Sequence, residues 1–442
     1  MRVQIRKLGT FAAVDKFKFV LKLCGLWPSG IPYSYLSILY NWYSLAFIFV
    51  FLFPYILAIN VNIFFTEDVV EATNTLCMGL TVMALFGKSL NFRFFLRRIQ
   101  NLLRTSETFQ LESDREVEFV DQKMVPFNKL CNCVYCFSNL AIAFNSIEAI
   151  VSAEARLPYA AWFPFDWKSN STTYALVCIY QVVGMVIVAN LNLSIDLLSV
   201  YLMHVTSVKL EILGNRLRKL NGINVNGRQN RHTHTKKLVR CISVYQQAWN
   251  YIAVKENPSL KSTFIFVAFG ITCQLKIFQA YKVQLTFEQW FSLSSYFDLA
   301  TFVSLSRFTE ELQACFTYGV FIQITFSGTV ICSIAYQLST TSPHENLLAY
   351  TYLIMYQFCM IGQIYIPCYF GNEIILTHEN ISGSIFNSGW HLQSMHCRRI
   401  VIIFMEIVKN EWHILVGNWM VLNLELFVSI MNFAYRLYTF LA

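Results

Sequence analysis

Seven stretches of this 442-residue chain stay apolar for twenty residues or more, at 38–60, 72–92, 131–154, 174–204, 315–337, 347–370 and 413–440. A helix needs about 20 such residues to cross a hydrocarbon core of ~30 Å. Inside lipid every backbone N–H and C=O must be satisfied within the segment, so each stretch predicts a membrane-spanning helix. Charged residues make up only 14% of the chain, against roughly a quarter in a soluble domain. The net charge of +8 is not a nucleic-acid signal, because the basic residues sit between the apolar runs. The fold class expected is therefore an all-α membrane protein that forms a single seven-span domain over 1–442.

Lys and Arg between the runs orient them, since these residues accumulate on the cytoplasmic side. The N-terminal segment carries Arg2, Arg6, Lys7, Lys16, Lys18 and Lys22, whereas the loop after the first span holds only Glu67, Asp68 and Glu71. The loop after span two holds Arg93, Arg97, Arg98, Arg104, Arg115, Lys123 and Lys129. After span three there are only Arg156 and Lys168; after span four a basic cluster runs from Lys209 to Arg240. Residues 338–346 lack Lys and Arg, and Arg398, Arg399 and Lys409 precede the last span. The alternation predicts seven crossings, with the N-terminus cytoplasmic and the C-terminus extracellular. An eighth apolar run, 262–281, would invert every later loop if it crossed, so it is not read as a span. The sequon Asn170-Ser171-Thr172 falls in an outer loop and predicts glycosylation at Asn170. Two further sequons, at Asn192 and Asn380, fall in a span and in a cytoplasmic loop.

This orientation is the reverse of a G-protein-coupled receptor, and neither a DRY-like triplet after span three nor an NPxxY-like run in span seven is present. No GxSxG, HExxH or P-loop lysine motif occurs, so no enzyme activity or cofactor is expected. His232, His234, His344 and His378 are read as loop residues without metal-ligand partners. The thirteen cysteines lie mostly inside apolar stretches and are expected to act as small hydrophobes rather than as a disulfide framework.

The last span carries a polar stripe. Asn418, Glu425, Ser429, Asn432, Arg436 and Thr439 recur at helical spacing, with Phe440 and Leu441 at the tip. Polar groups in a span avoid lipid, so the stripe either lines an ion path or packs against neighbouring helices. Span four continues to about residue 220, and at 1.5 Å per residue the run from 174 is roughly 69 Å, well beyond the bilayer core. Its excess, with 94–120 and 238–247, predicts a cytoplasmic anchor region.

The loop Leu157-Pro158-Tyr159-Ala160-Ala161-Trp162-Phe163-Pro164-Phe165-Asp166-Trp167 resembles the second extracellular loop of insect odorant receptors. The ordered series Cys368-Tyr369-Phe370-Gly371-Asn372-Glu373-Ile374, Phe386-Asn387-Ser388-Gly389-Trp390, Arg398-Arg399, Val416-Gly417-Asn418-Trp419 and the closing run Asn432–Leu441 resembles the same family's C-terminal half. The resemblance covers 1–248 and 307–442. It implies an odorant-gated cation channel subunit that forms a heterotetramer with the olfactory co-receptor in the plasma membrane of olfactory sensory neurons. It implies that small volatile odorants bind among spans two, three, four and six in their outer halves, and that the last helix lines the pore for permeant cations. On that basis Thr73, Met78, Phe144, Ile147, Ile150, Tyr180, Val183, Tyr352 and Tyr356 are candidate odorant contacts, with Tyr352 and Tyr356 four apart on one face.

Two departures stand out. Residues 249–306 have no counterpart in the family pattern and read as an atypical insertion, either a retained intron or a genuine cytoplasmic insertion or re-entrant hairpin. Arg436 replaces the small polar residue usual there. A gustatory receptor of the same channel superfamily would end in a Thr-Tyr-x-x-x-Leu-x-Gln-Phe-like run, which is missing. A transporter would show broken spans in matching positions, and none pair here.

Overall fold

A computed structural model describes residues 12–28, 35–66, 69–107, 111, 113–151, 156–168, 170–219, 287–341, 343–344, 346–388, 390–392, 395–409, 412–417 and 419–441. An amphipathic helix α1 (Ala12–Leu23) leads into α2 (Tyr35–Ala46), which continues through a π-helical segment, Phe47–Leu52, into α3 (Phe53–Asn62). The widened turn immediately precedes Pro54, which has no N–H to give the carbonyl of Val50, so the regular ladder is interrupted there. Four long helices follow, then a fifth and the shorter ones: α4 (Val69–Glu107), α5 (Asp114–Val151), α6 (Ser171–Lys219), α7 (Phe287–Thr340), α8 (Leu347–Phe386), α9 (Met395–Val408) and α10 (Leu424–Leu441).

Helix starts carry side-chain caps. Asn170 Oδ1 accepts from the Thr172 N–H at 3.1 Å, Asn346 Oδ1 from the Ala349 N–H at 3.1 Å, and Asn423 Oδ1 from the Leu426 N–H at 2.9 Å. Among the described residues six helices are long and apolar enough to cross a membrane: Ile38–Asn62, Glu71–Glu107, Asp114–Val151, Ser171–Arg218, Ser304–Thr340 and Leu347–Phe386. Several overrun the bilayer: at 1.5 Å per residue the 49 residues of α6 extend roughly 73 Å. The expected spans 72–92 and 347–370 stop where apolarity fades, yet the polar ends of α4 and α8 remain helical to Glu107 and Phe386.

The seventh expected span, 413–440, is only partly a helix. Leu415–Val416 (β1) and Met420–Val421 (β2) form an antiparallel hairpin, with Leu415 opposite Val421. Gly417 takes φ +61 in the turn, a backbone region that disfavours other residues. The Leu422 N–H donates to the Ile414 carbonyl at 2.8 Å, Thr317 of α7 donates to the Leu415 carbonyl, and only then does α10 begin. Apolarity alone did not separate strand from helix here.

The chain divides into two compact units, the first made of Met1–Val205, Thr309–Ile374 and His413–Ala442, the second of Thr206–Phe308 and Ile375–Trp412. In the first, α1 docks through Phe17 and Leu21, both fully buried, while the Trp27 N–H donates to the Tyr40 hydroxyl at 3.2 Å and that hydroxyl donates to the Lys22 carbonyl at 3.0 Å. Burial pushes the Cys24 thiol up to about 12, so it is an inert packing group. Helices α3 and α6 meet closely: a Cβ added at Gly184 would stand 2.6 Å from Tyr55 Cε2.

The second unit has an aromatic centre. Phe302 of α7 lies 5.6 Å from His378, 5.5 Å from Phe404 and 4.7 Å from Trp412, and the His378 and Trp412 rings stack at 4.8 Å. His378 is therefore a buried helical residue of α8 and not a loop histidine. The sequon at Asn380 is also helical. Residues 94–120 fall in the first unit. Of the insertion 249–306, residues 287–306 are helical and run unbroken into the rest of α7. The remainder, the run 262–281, the segment 238–247, and His232 and His234 lie outside the described residues.

Candidate functional site

Within the first unit, four helices and one loop residue line a partly open cavity of about 70 Å³. That is roughly the room of five water-sized bodies, on the scale of a small volatile molecule. Helix α4 contributes Met78, Thr81, Val82 and Leu85, a set at i, i+3, i+4 and i+7 that forms one stripe. Helix α6 repeats the spacing with Met185, Val188, Ala189 and Asn192, and α8 extends it with Tyr352, Tyr356, Cys359, Met360 and Gln363. Ser138, Ala141 and Ile142 of α5 close the third side. The wall is mostly apolar with a few polar groups, the composition of a small-molecule site.

Tyr352 and Tyr356 stack almost parallel, with centroids 5.8 Å apart and planes at 5°. The Tyr356 hydroxyl lies 2.9 Å from Thr81 Oγ1, and Thr81 itself donates to the Cys77 carbonyl at 2.9 Å. A hydroxyl has one hydrogen, so Tyr356 is the donor of the pair.

Tyr159 comes from the loop after α5, and its position is over-determined. Gln181 Nε2 donates to the Tyr159 carbonyl at 2.7 Å, and the Tyr159 N–H donates to Gln181 Oε1 at 3.2 Å. Asn145 Nδ2 donates to the Pro158 carbonyl at 2.6 Å, and the Trp162 N–H to the Ala58 carbonyl at 2.8 Å. An aromatic loop residue is thus held as part of the wall by backbone bonds that no sequence periodicity announces.

A charged group stands beside the cavity. Lys88 Nζ donates to Asn192 Oδ1 at 2.8 Å and to both carboxylate oxygens of Asp196 at 2.8 Å, with the Lys88 side chain 1% exposed. An ionisable pair inside spanning helices is a costly feature and usually serves a purpose.

Of the nine candidate odorant contacts, the cavity brings together Met78, Tyr352 and Tyr356. Thr73, Phe144, Ile147, Ile150, Tyr180 and Val183 are not on its wall. Ile147, Ile150 and Val183 are 48%, 73% and 50% exposed, so they point away from the protein, where lipid solvates an apolar side chain as well as a core does. Tyr180 instead packs edge-on against Phe51 at 6.1 Å and Tyr55 at 5.9 Å. The residues missed, Thr81, Tyr159 and Asn192 above all, include two whose heptad-like company along α4 and α6 was available as a signal.

On α10 the polar stripe is turned outward. Glu425, Ser429, Asn432, Arg436, Thr439 and Phe440 are exposed, whereas Ile430 and Ala434 are buried. The buried face meets α7, where a Cβ at Gly328 would lie 3.9 Å from Ile430 and 3.0 Å from Phe433. Ser429 and Thr439 spend their hydroxyl hydrogens on the carbonyls of Glu425 and Arg436. Leu441 ends the helix, with its side chain outside the described residues, and Asn418 lies outside them altogether.

The chain is 23% identical to Odorant receptor 94a of Drosophila melanogaster over 424 residues, covering 94% of this chain and 93% of that one. It is 24% identical to Odorant receptor Or1 of Anopheles gambiae over 419 residues, covering 94% and 91%. Its fold matches the olfactory receptor OR5 of Machilis hrabei, solved in complex with eugenol, with a TM-score of 0.71 at 14% identity over 98% of this chain and 99% of that one. The family model described as 7tm Odorant receptor matches residues 68–435, and the chain belongs to that family of multi-pass membrane receptors, which are not enzymes.

Proposed function

We propose that this protein is the odorant-binding subunit of a ligand-gated cation channel and acts with the olfactory co-receptor as a heterotetramer in the plasma membrane of olfactory sensory neurons. The observation that carries the reading is the largely apolar cavity among α4, α5, α6 and α8, with the Tyr352–Tyr356 pair and the pinned Tyr159 in its wall. Volatile odorants suit such a chamber: their affinity comes from apolar contact, and a few polar groups set orientation. The solved neighbour was captured with eugenol, a small aromatic volatile, which favours the same ligand class here.

The outward polar face of α10 supports the channel reading. A polar stripe left uncovered by the chain itself needs another subunit or water against it, because lipid does not solvate it. In a tetramer, Glu425, Ser429, Asn432 and Thr439 would border the ion path, with Phe440 and Leu441 as the apolar constriction near the outer end. Arg436 reaches toward the outer interface. The Lys and Arg distribution supports a cytoplasmic N-terminus, an extracellular C-terminus and a glycan on Asn170.

The insertion 249–306 is proposed to be retained intron sequence, with genuine protein as the second reading, which the burial of Phe302 favours for its final turns. Sequencing the transcript across Tyr245 to Thr309 decides between the two. The function itself is tested by co-expressing the chain with the co-receptor and recording odorant-evoked cation current. A current no larger than that of the co-receptor alone, from a subunit delivered to the surface, counts against it.

A further inference from the structure

Two of the polar side chains at the cavity are amides, Asn192 and Gln363, and each has its oxygen committed elsewhere. Lys88 is a pure donor, so its contact at 2.8 Å fixes Asn192 with Oδ1 toward the ammonium and Nδ2 turned away from it. Asp196, one helical turn further along α6, holds Lys88 in place through both carboxylate oxygens. The second amide is fixed by a longer chain of the same logic. Ser327 donates its hydroxyl hydrogen to the Gln323 carbonyl at 2.6 Å, so toward the Gln323 side chain its oxygen can only accept. Gln323 therefore presents Nε2 there, at 2.8 Å, and the same nitrogen donates to Gln363 Oε1 at 3.0 Å. Both amides keep N–H groups as the polar element they offer to the cavity. The hydroxyl hydrogens of Thr81 and Tyr356, by contrast, are consumed within the wall.

We propose that this cavity selects volatile molecules carrying a hydrogen-bond acceptor oxygen, such as ketones and esters, over hydrocarbons of the same shape, with Asn192 Nδ2 as the donor and Lys88 and Asp196 as the residues that position it. The proposal rests on the reading of this cavity as the odorant site. A donor held in low dielectric discriminates strongly, because a ligand without an acceptor leaves it unpaired. An amide free to flip would serve donors and acceptors alike, and the ammonium removes that freedom.

The test uses the full chain co-expressed with the co-receptor, with currents recorded against methyl ketones, alkyl acetates and the parent alkanes of equal length, and with surface delivery measured alongside. The wild-type subunit is expected to respond to the ketones and acetates at lower concentration than to the alkanes. Asn192→Leu is expected to raise the half-maximal concentration for ketones and acetates about tenfold relative to that for the alkanes. The double variant Lys88→Gln with Asp196→Asn removes the charge that sets the amide, and is expected to erase the same preference while alkane responses persist; a merely structural role would move both classes together. Gln363→Met is the second arm should either variant fail to reach the surface. An equal shift of both classes, or no wild-type preference, overturns the proposal. Tyr356→Ala and Met360→Ala separate the two failures: if they alter tuning and Asn192→Leu does not, only this inference falls, and if none alters tuning the cavity is not the odorant site.

Discussion

Gln181 and Tyr159 exchange two hydrogen bonds, side-chain amide to backbone, and so a residue of α6 locks a loop residue into the wall of the cavity. Replacing Gln181 with Leu leaves the Tyr159 N–H and carbonyl without those partners, a penalty of about 1–3 kcal/mol for each buried group. The loop is then expected to loosen, and odorant dose–response curves to shift to higher concentration by roughly tenfold or more. Currents from cells expressing Gln181→Leu, normalised to surface protein, check this. An unchanged curve would mean that the loop does not shape the cavity.

The stacked tyrosines give a second prediction. Tyr356→Ala removes one ring of the pair and the donor to Thr81, so sensitivity and rank order among odorants are expected to change while the co-receptor's own agonist current stays intact. Tyr356→Phe keeps the stack and deletes only the hydroxyl, and is expected to have the smaller effect. Identical tuning in all three proteins would remove Tyr356 from the site.

Lys88 and Asp196 predict a stability effect that is separate from tuning. Lys88→Met strands the Asp196 carboxylate inside the helices, and breaking a buried pair on one side costs about 3–5 kcal/mol. Surface delivery and thermal stability in detergent are expected to drop sharply in Lys88→Met and to recover in large part when Asp196→Leu is added. A double variant no better than the single would show that the pair is not the source of the loss.

In the second unit, Phe302→Ala is expected to destabilise by about 3–5 kcal/mol, since the ring is 1% exposed at the centre of the His378, Phe404 and Trp412 cluster. Thermal melts of the purified receptor report it. A neutral substitution would indicate that the start of α7 contributes little to the fold.

Topology has its own test. An epitope appended after Ala442 is expected to be accessible to antibody on intact cells, whereas one placed before Met1 is reached only after permeabilisation. Asn170→Gln is expected to abolish a glycosidase-sensitive shift on gels, because Asn170 is exposed at the start of α6. The reverse pattern of labelling would overturn the assigned orientation.

That this chain is a helical membrane protein was legible in the order of its residues, because long apolar runs leave no other way to satisfy the backbone in lipid. It also carried the family, through motifs spread from Leu157 to Leu441, and the helical spacing of the α10 stripe from Glu425 to Thr439. Which apolar faces look inward became visible only in the packed helices. Ile147 and Ile142 are equally apolar on one helix, yet one is 48% exposed and the other is 6% exposed on the cavity wall, and hydropathy is blind to that difference when lipid and protein interior are alike as solvents. The hairpin before α10 and the docking of Tyr159 were hidden for a related reason: they depend on backbone bonds and a left-handed glycine, and not on a repeating side-chain pattern. The Lys88–Asp196 pair joins residues 108 apart in the chain, and two isolated charges in separate spans acquire a meaning only when folding brings them within 2.8 Å.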